Sequence, residues 1–195
     1  MRPTATLLLI GLCLSPLAHA AEHAPGPQDP AARIAAQRQA MQALAFLDGQ
    51  WRGRFDMQTP DGNQHSLVHT ERVGTLLDGS VRLIEGTSYG ADGKAQFNAL
   101  GVVSFDPDTR RYTMHSHAQG REIEVSLQVR PDGFSWETPM GPGARLRYTA
   151  TVSGGHWHET GERVVAGKPV GKVMELDLQR LGDSDWPAAG AVGPR

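Results

Sequence analysis

Apolar and polar residues alternate along most of this chain. From Trp51 to about Arg180 the period is two residues, as in a β-strand whose side chains point to opposite faces. Before that, from Asp29 to about Leu47, the period is helical. Asp29 is placed to cap free N–H groups, Pro30 suits a first turn, and the Ala-rich run after it has high helix propensity. Ile34, Met41, Leu44 and Ala45 fall on one face. The stripe is interrupted at Gln37 and Arg38, so the N-terminal half of the helix is expected to be half exposed. Gly49 is expected to end the helix at positive φ. An amphipathic face of this kind is expected to pack as a lid on one end of the strand region, a mobile gate being the alternative.

Turn signals punctuate the alternating region at regular intervals. They are Pro60–Asn63, Asp78-Gly79, Asp92-Gly93, Asp106–Thr109, Gln119-Gly120, Pro131–Gly133, Gly141–Gly143, Ser153–Gly155 and Gly167-Lys168. These nine turns separate ten strands of about 6 to 12 residues, a usual strand length. No gap between strands is long enough for a helical crossover, so the strands are antiparallel neighbours. A flat meander of this size would leave two exposed edges, and closing it removes them. The expected fold is all-β, a ten-stranded antiparallel up-and-down barrel preceded by one N-terminal α-helix. A two-sheet sandwich satisfies the same spacing.

Alternation also assigns faces. The expected inner rows include Trp51, Gly53, Phe55 and Met57; Leu67, His69, Glu71 and Val73; Val81, Leu83, Glu85, Thr87 and Tyr89; Phe97 to Phe105 by twos; Tyr112, Met114 and Ser116; Ile123 to Val129 by twos; Phe134, Trp136 and Thr138; Leu146, Tyr148 and Ala150; Trp157 and Glu159; and Met174, Leu176 and Leu178. These rows are apolar and rich in bulky aromatics, which favours a narrow, partly filled interior. Four polar residues share the inner parity: His69, Glu71, Glu85 and Glu159. A carboxylate inside a barrel is costly unless paired or protonated. The four are therefore candidates to orient the polar group of a ligand, or to form a satisfied internal network or a wet rim.

Two His-x-His pairs, His115/His117 and His156/His158, place imidazoles on shared strand faces at metal-binding spacing. On neighbouring strands they would offer four nitrogens to one ion. If Met114 and Trp157 point inward, both pairs point to solvent. Weak adventitious metal affinity is then the expectation, and no metal site is assigned.

The ends of the chain differ from its middle. Residues 1–20 read as a secretory signal peptide, with Arg2, the apolar run Leu7–Leu14 and the small-x-small pattern Ala18-His19-Ala20. A lipid anchor on Cys13 needs a small residue before it, and Leu12 is not small. Residues 21–29 read as a Pro- and Gly-containing linker, 30–181 as helix plus barrel, and 182–195 as a disordered tail. Periplasmic or secreted localisation is the expectation, with no stable membrane insertion after cleavage. Cys13 is the one cysteine and lies in the signal, so the domain is expected to be held by its core without disulfides. Without Arg2, 18 of the 19 basic residues face 21 acidic ones, a balance too mild to point to nucleic acid.

Four segments carry a resemblance: Leu47–Trp51, Leu76–Gly79, Leu100–Asp106 and Lys172–Arg180. In their order and spacing, over about residues 44–181, the chain resembles the calycins, the group of lipocalins, fatty-acid-binding proteins and nitrobindin-like ten-stranded barrels, and looks most like an uncharacterised bacterial branch of it. The resemblance implies a central cavity. Nitrobindin-like barrels bind haem through a histidine in the closing strand. Lys172–Arg180 holds no histidine, and Met174 lies nearest the corresponding place.

The expected function is an exported barrel holding a small apolar or amphipathic molecule. Trp51, Phe55, Tyr89, Phe97, Met114, Trp136, Tyr148 and Trp157 would line it, and His69, Glu71, Glu85 and Glu159 would meet its polar group. No cofactor is expected. No nucleophile elbow or other recognised catalytic motif is present, so chemistry is not assigned. The alternatives are a metal- or haem-dependent enzyme using the histidine pairs or His69, and an interaction barrel without a ligand.

Overall fold

A computed structural model describes residues 29–59, 61–188 and 192. The expected signal peptide and all but the last residue of the expected linker lie outside the described residues. The chain begins with helix α1 (Pro30–Met41), whose Asp29 side chain accepts a hydrogen bond from the Ala31 N–H at 3.2 Å. A 3-10 segment (Gln42–Leu47) continues it. Gly49, at φ +124°, then turns the chain into the first strand. The tightened segment rotates the apolar stripe: Met41, Leu44 and Leu47 are fully buried, whereas Ile34 and Ala45, expected on the buried face, are exposed.

Ten strands come next: β1 (Gly49–Gln58), β2 (Gln64–Leu76), β3 (Val81–Tyr89), β4 (Ala95–Asp106), β5 (Arg111–Ala118), β6 (Arg121–Arg130), β7 (Gly133–Pro139), β8 (Ala144–Ser153), β9 (His156–Val165) and β10 (Lys168–Gly182). Each pairs antiparallel with its successor. β1 also pairs with β10, from Trp51 opposite Arg180 to Met57 opposite Met174, so the sheet closes and no edge remains. The closed ring excludes the sandwich.

The helical segment closes one end of the barrel. Tyr112 donates its hydroxyl to Ala40 O at 2.8 Å, Gln37 Nε2 donates to Phe105 O at 3.0 Å, and Trp51 Nε1 donates to Leu47 O at 2.8 Å. Arg82 points inward at this end and is 1 % exposed. It forks onto both Asp48 carboxylate oxygens at 2.7 and 2.9 Å and donates to Met41 O at 2.6 Å. A buried guanidinium is tolerated because its donors are matched in this way, and one acceptor is a carbonyl at the helix C-terminal end, where the dipole favours a cation. Beneath the lid, Trp51 meets Trp157 edge to face at 5.8 Å and Trp157 meets Phe134 at 6.1 Å, with Val73, Val103, Val152 and Leu178 filling the floor.

The inner rows match the alternation on every strand except β3. There the connection Leu77–Ser80 has four residues and pairs Leu76 with Val81, so the odd-numbered inner row of β2 faces an even-numbered inner row. Arg82, Ile84, Gly86 and Ser88 therefore point in, and Val81, Leu83, Glu85, Thr87 and Tyr89 point out. Trp186 and Pro187 lie against Gly74, and Arg72 stacks over the Trp186 ring at 4.5 Å. Residues 189–191 and 193–195 lie outside the described residues. No helix among the described residues is long and apolar enough to cross a membrane.

Candidate functional site

The barrel interior changes character along its axis. At the helix end its side chains are buried. Toward the other end, Phe55, Leu67, Phe97, Trp136, Leu146, Tyr148 and Met174 still point inward, yet each is only half-buried. An inward side chain in a closed barrel gains exposure only from space inside the barrel or at its mouth. Trp136 and Tyr148 stack face to face across β7 and β8, with centroids 3.8 Å apart and planes 9° from parallel. Ile123, also inward, is 39 % exposed at the rim. A depression of about 420 Å³ opens beside this mouth, where Met57 and His65 meet Lys172–Glu175. A second, of about 430 Å³, lies by the Gly141–Gly143 and Ala166-Gly167 turns.

Between the closed floor and the half-buried aromatics sits a polar cluster. His69 is 5 % exposed and directly opposite Ser88 across β2 and β3. Its Nδ1 lies 2.7 Å from Ser88 Oγ and its Nε2 lies 2.9 Å from Glu71 Oε1. Glu71 stands over Gly86, where any Cβ would come within 2.6 Å of Oε1. Glycine at this position leaves the room that the carboxylate occupies. Glu71 Oε2 is buried without a hydrogen-bond partner. Glu159, 7 % exposed, accepts a hydrogen bond from Trp157 Nε1 at 3.3 Å. Its strand neighbours on either side are Ala150 and Leu176, which offer it no polar group.

The electrostatics follow from this geometry. The Glu159 carboxyl is pushed up to about 7, first by burial and then by the Glu71 charge, with the Trp157 N–H working against both. Tyr148 is pushed up to about 12 by burial, with the Glu159 charge adding to the shift. Glu71, Glu159 and Tyr148 thus face one interior field.

The Ser88, His69 and Glu71 side chains form a hydrogen-bonded line in the order of a nucleophile, base and orienting acid. Ser88, however, is fully buried near the end of β3, where it is paired on both sides, opposite His69 and Phe97. Strand backbone here is committed to the sheet and does not converge on Ser88 Oγ as an oxyanion site would require. The line fixes the orientation of Glu71 and acts as a positioning network.

Of the residues expected to line a ligand, Phe55, Phe97, Trp136 and Tyr148 occupy the half-buried zone, and His69, Glu71 and Glu159 the polar cluster. Trp51, Met114 and Trp157 are buried core beneath it. Glu85 and Tyr89 are excluded from the interior by the β3 parity. Glu85 is paired with Arg72 on the outer face, and Tyr89 lies opposite Val68 there. Alternation alone does not find Ser88, Arg82 or Asp48. The even-length connection before Val81 is the signal that points to the first two.

The four candidate metal ligands, His115, His117, His156 and His158, all point outward, and the structure does not bring the two pairs together. They stand on β5 and β9, which are not neighbours. A four-nitrogen site is thereby excluded, because three strands separate its halves around the ring. Each imidazole instead has its own surroundings. His115 lies 3.6 Å from Glu124, and His158 lies 3.0 Å from Glu175. His117 is exposed opposite Glu122, and His156 is exposed opposite Ser153 and Gln179. Among the described residues no group of three or more His, Cys, Asp or Glu side chains is placed to hold a metal ion.

No protein-family model and no curated protein matches the chain. Fourteen chains of solved structures do. One is "Crystal Structure of Rv2717c from M. tuberculosis", similar at 17 % identity with a TM-score of 0.54, over 72 % of this chain and 96 % of that one. At this identity the likeness is one of fold, a closed ten-strand antiparallel barrel.

Proposed function

We propose that this protein is an exported, calycin-like binding barrel that holds a small amphipathic molecule in its interior. The observation that carries the reading is the half-buried, inward-facing zone of Phe55, Phe97, Trp136, Tyr148 and Met174 at the end away from the helix, set above a buried polar cluster. Apolar walls with a few convergent polar groups are the usual make-up of a small-ligand site. The helix serves as a fixed lid, because Arg82, Tyr112 and Gln37 tie it to three strands. Export rests on the signal-like residues 1–20.

The test is titration of the mature protein with the neutral dye N-phenyl-1-naphthylamine. The expected result is saturable enhancement of dye emission with quenching of tryptophan emission, and a loss of both in Trp136→Ala and Tyr148→Ala variants that keep the wild-type far-ultraviolet dichroism. A dye that stays dark, beside native mass spectra showing only the bare chain mass, sinks the reading and favours an interaction barrel. A haem or metal mass in those spectra moves the function to a cofactor-bearing protein.

A further inference from the structure

The polar cluster says more about the ligand than that it is amphipathic. Among the described residues, two inward carboxylates, Glu71 and Glu159, share the buried interior with one buried imidazole, His69, while His65 on the same row is exposed at the far end. Of the arginines on inward rows among the described residues, Arg82 is committed to Asp48 and Met41 O at the closed end, Arg180 to Asp48 O and Asp183 at that same end, and Arg121 and Arg163 are exposed at the far rim. His69 is already engaged on both ring nitrogens, by Ser88 and by Glu71 Oε1. Yet Glu71 Oε2, on a side chain 11 % exposed, is buried without a partner. A buried acceptor left unmet costs free energy until a donor reaches it. The cluster therefore offers two carboxyl groups and an acceptor, Glu71 Oε2, that no donor meets.

We propose that the polar layer of Glu71, Glu159 and the His69–Ser88 pair is a subsite for a protonated amine, the head group of a ligand whose apolar body lies between Trp136, Tyr148, Phe55 and Phe97. An ammonium carries three donors and a positive charge, enough to satisfy Glu71 Oε2 and reach Glu159 together. A carboxylate head would meet two carboxylates and no free cation, and a hydroxyl head has one proton to donate. This inference rests on the binding reading given above and deepens it.

The experiment is displacement of N-phenyl-1-naphthylamine from the mature protein by dodecylammonium, dodecanol and dodecanoate at pH 7.5, each below its critical micelle concentration. Dodecylammonium is expected to displace the dye at a concentration at least tenfold lower than dodecanoate, with dodecanol between them. Glu71→Gln is expected to shrink that preference at least tenfold while the dye still binds. Glu159→Gln, which keeps the shape and removes the second charge, provides the same readout should the first variant fail to fold. Equal potency of the three probes, or a lead for dodecanoate, overturns the amine subsite and leaves the barrel reading standing. A preference that persists unchanged in both variants assigns the amine to another surface and likewise overturns it. No dye entry and no displacement overturns both.

Discussion

Replacing Glu159 by glutamine isolates the cost of keeping a carboxyl inside the barrel. Glu159 is 7 % exposed, and its carboxyl is pushed from 4.5 to about 7, first by burial and then by the Glu71 charge. The sign comes from linkage. Between these two values the folded protein holds a proton that the unfolded chain has released, so stability is greatest below 4.5 and falls as pH rises through 7. At 1.36 kcal/mol per unit, the shift corresponds to about 3 kcal/mol lost between pH 4.5 and pH 8. Glutamine keeps the shape, retains an oxygen for the Trp157 N–H and does not titrate.

The assay is urea unfolding followed by tryptophan emission at pH 5, 6, 7 and 8. The difference between the two proteins cancels those titrations that they share. Glu175, held down at about 2 by its Lys172 and His158 bonds, acts below the window. The variant is expected to gain on the wild type steadily with pH, reaching about 3 kcal/mol at pH 8, or roughly 6–12 °C in Tm for a domain of this size. Parallel pH curves for the two proteins would refute the reasoning, because they would mean that Glu159 reaches water or a cation in the folded state.

Two other substitutions probe the parts that hold the site. Arg82→Met removes the matched guanidinium beneath the lid and leaves Met41 O without its donor; a loss of about 3 kcal/mol is expected, with faster proteolysis between residues 30 and 47, and unchanged protection there would count against the lid. Gly86→Ala places a Cβ within 2.6 Å of Glu71 Oε1, so the Glu71 side chain must move off His69; a loss of about 1–2 kcal/mol in urea unfolding and a shifted His69 ring proton resonance are expected, and an unchanged resonance would mean that the carboxylate had not moved.

The amino-acid sequence alone carried the ten strands, their turns, the preceding helix and the inner face of every strand but β3. These are local properties. A two-residue period and an Asp-Gly turn act through neighbours in the chain, and a run such as Phe97 to Phe105 shows its apolar face without any partner. Only the tertiary structure decided closure, since pairing β1 with β10 joins residues more than a hundred positions apart. Closure also fixed the ring order that keeps His115 and His117 away from His156 and His158. The face of β3 was decided the same way. Both rows of that strand hold one charge, Arg82 or Glu85, and nothing local says which charge has a partner inside. The choice was made by Asp48 and Met41 O on the lid, and by the register that sets Ser88 against His69 and Gly86 beneath Glu71. Burying a polar group depends on the partners it meets, and those partners come from elements far away in sequence.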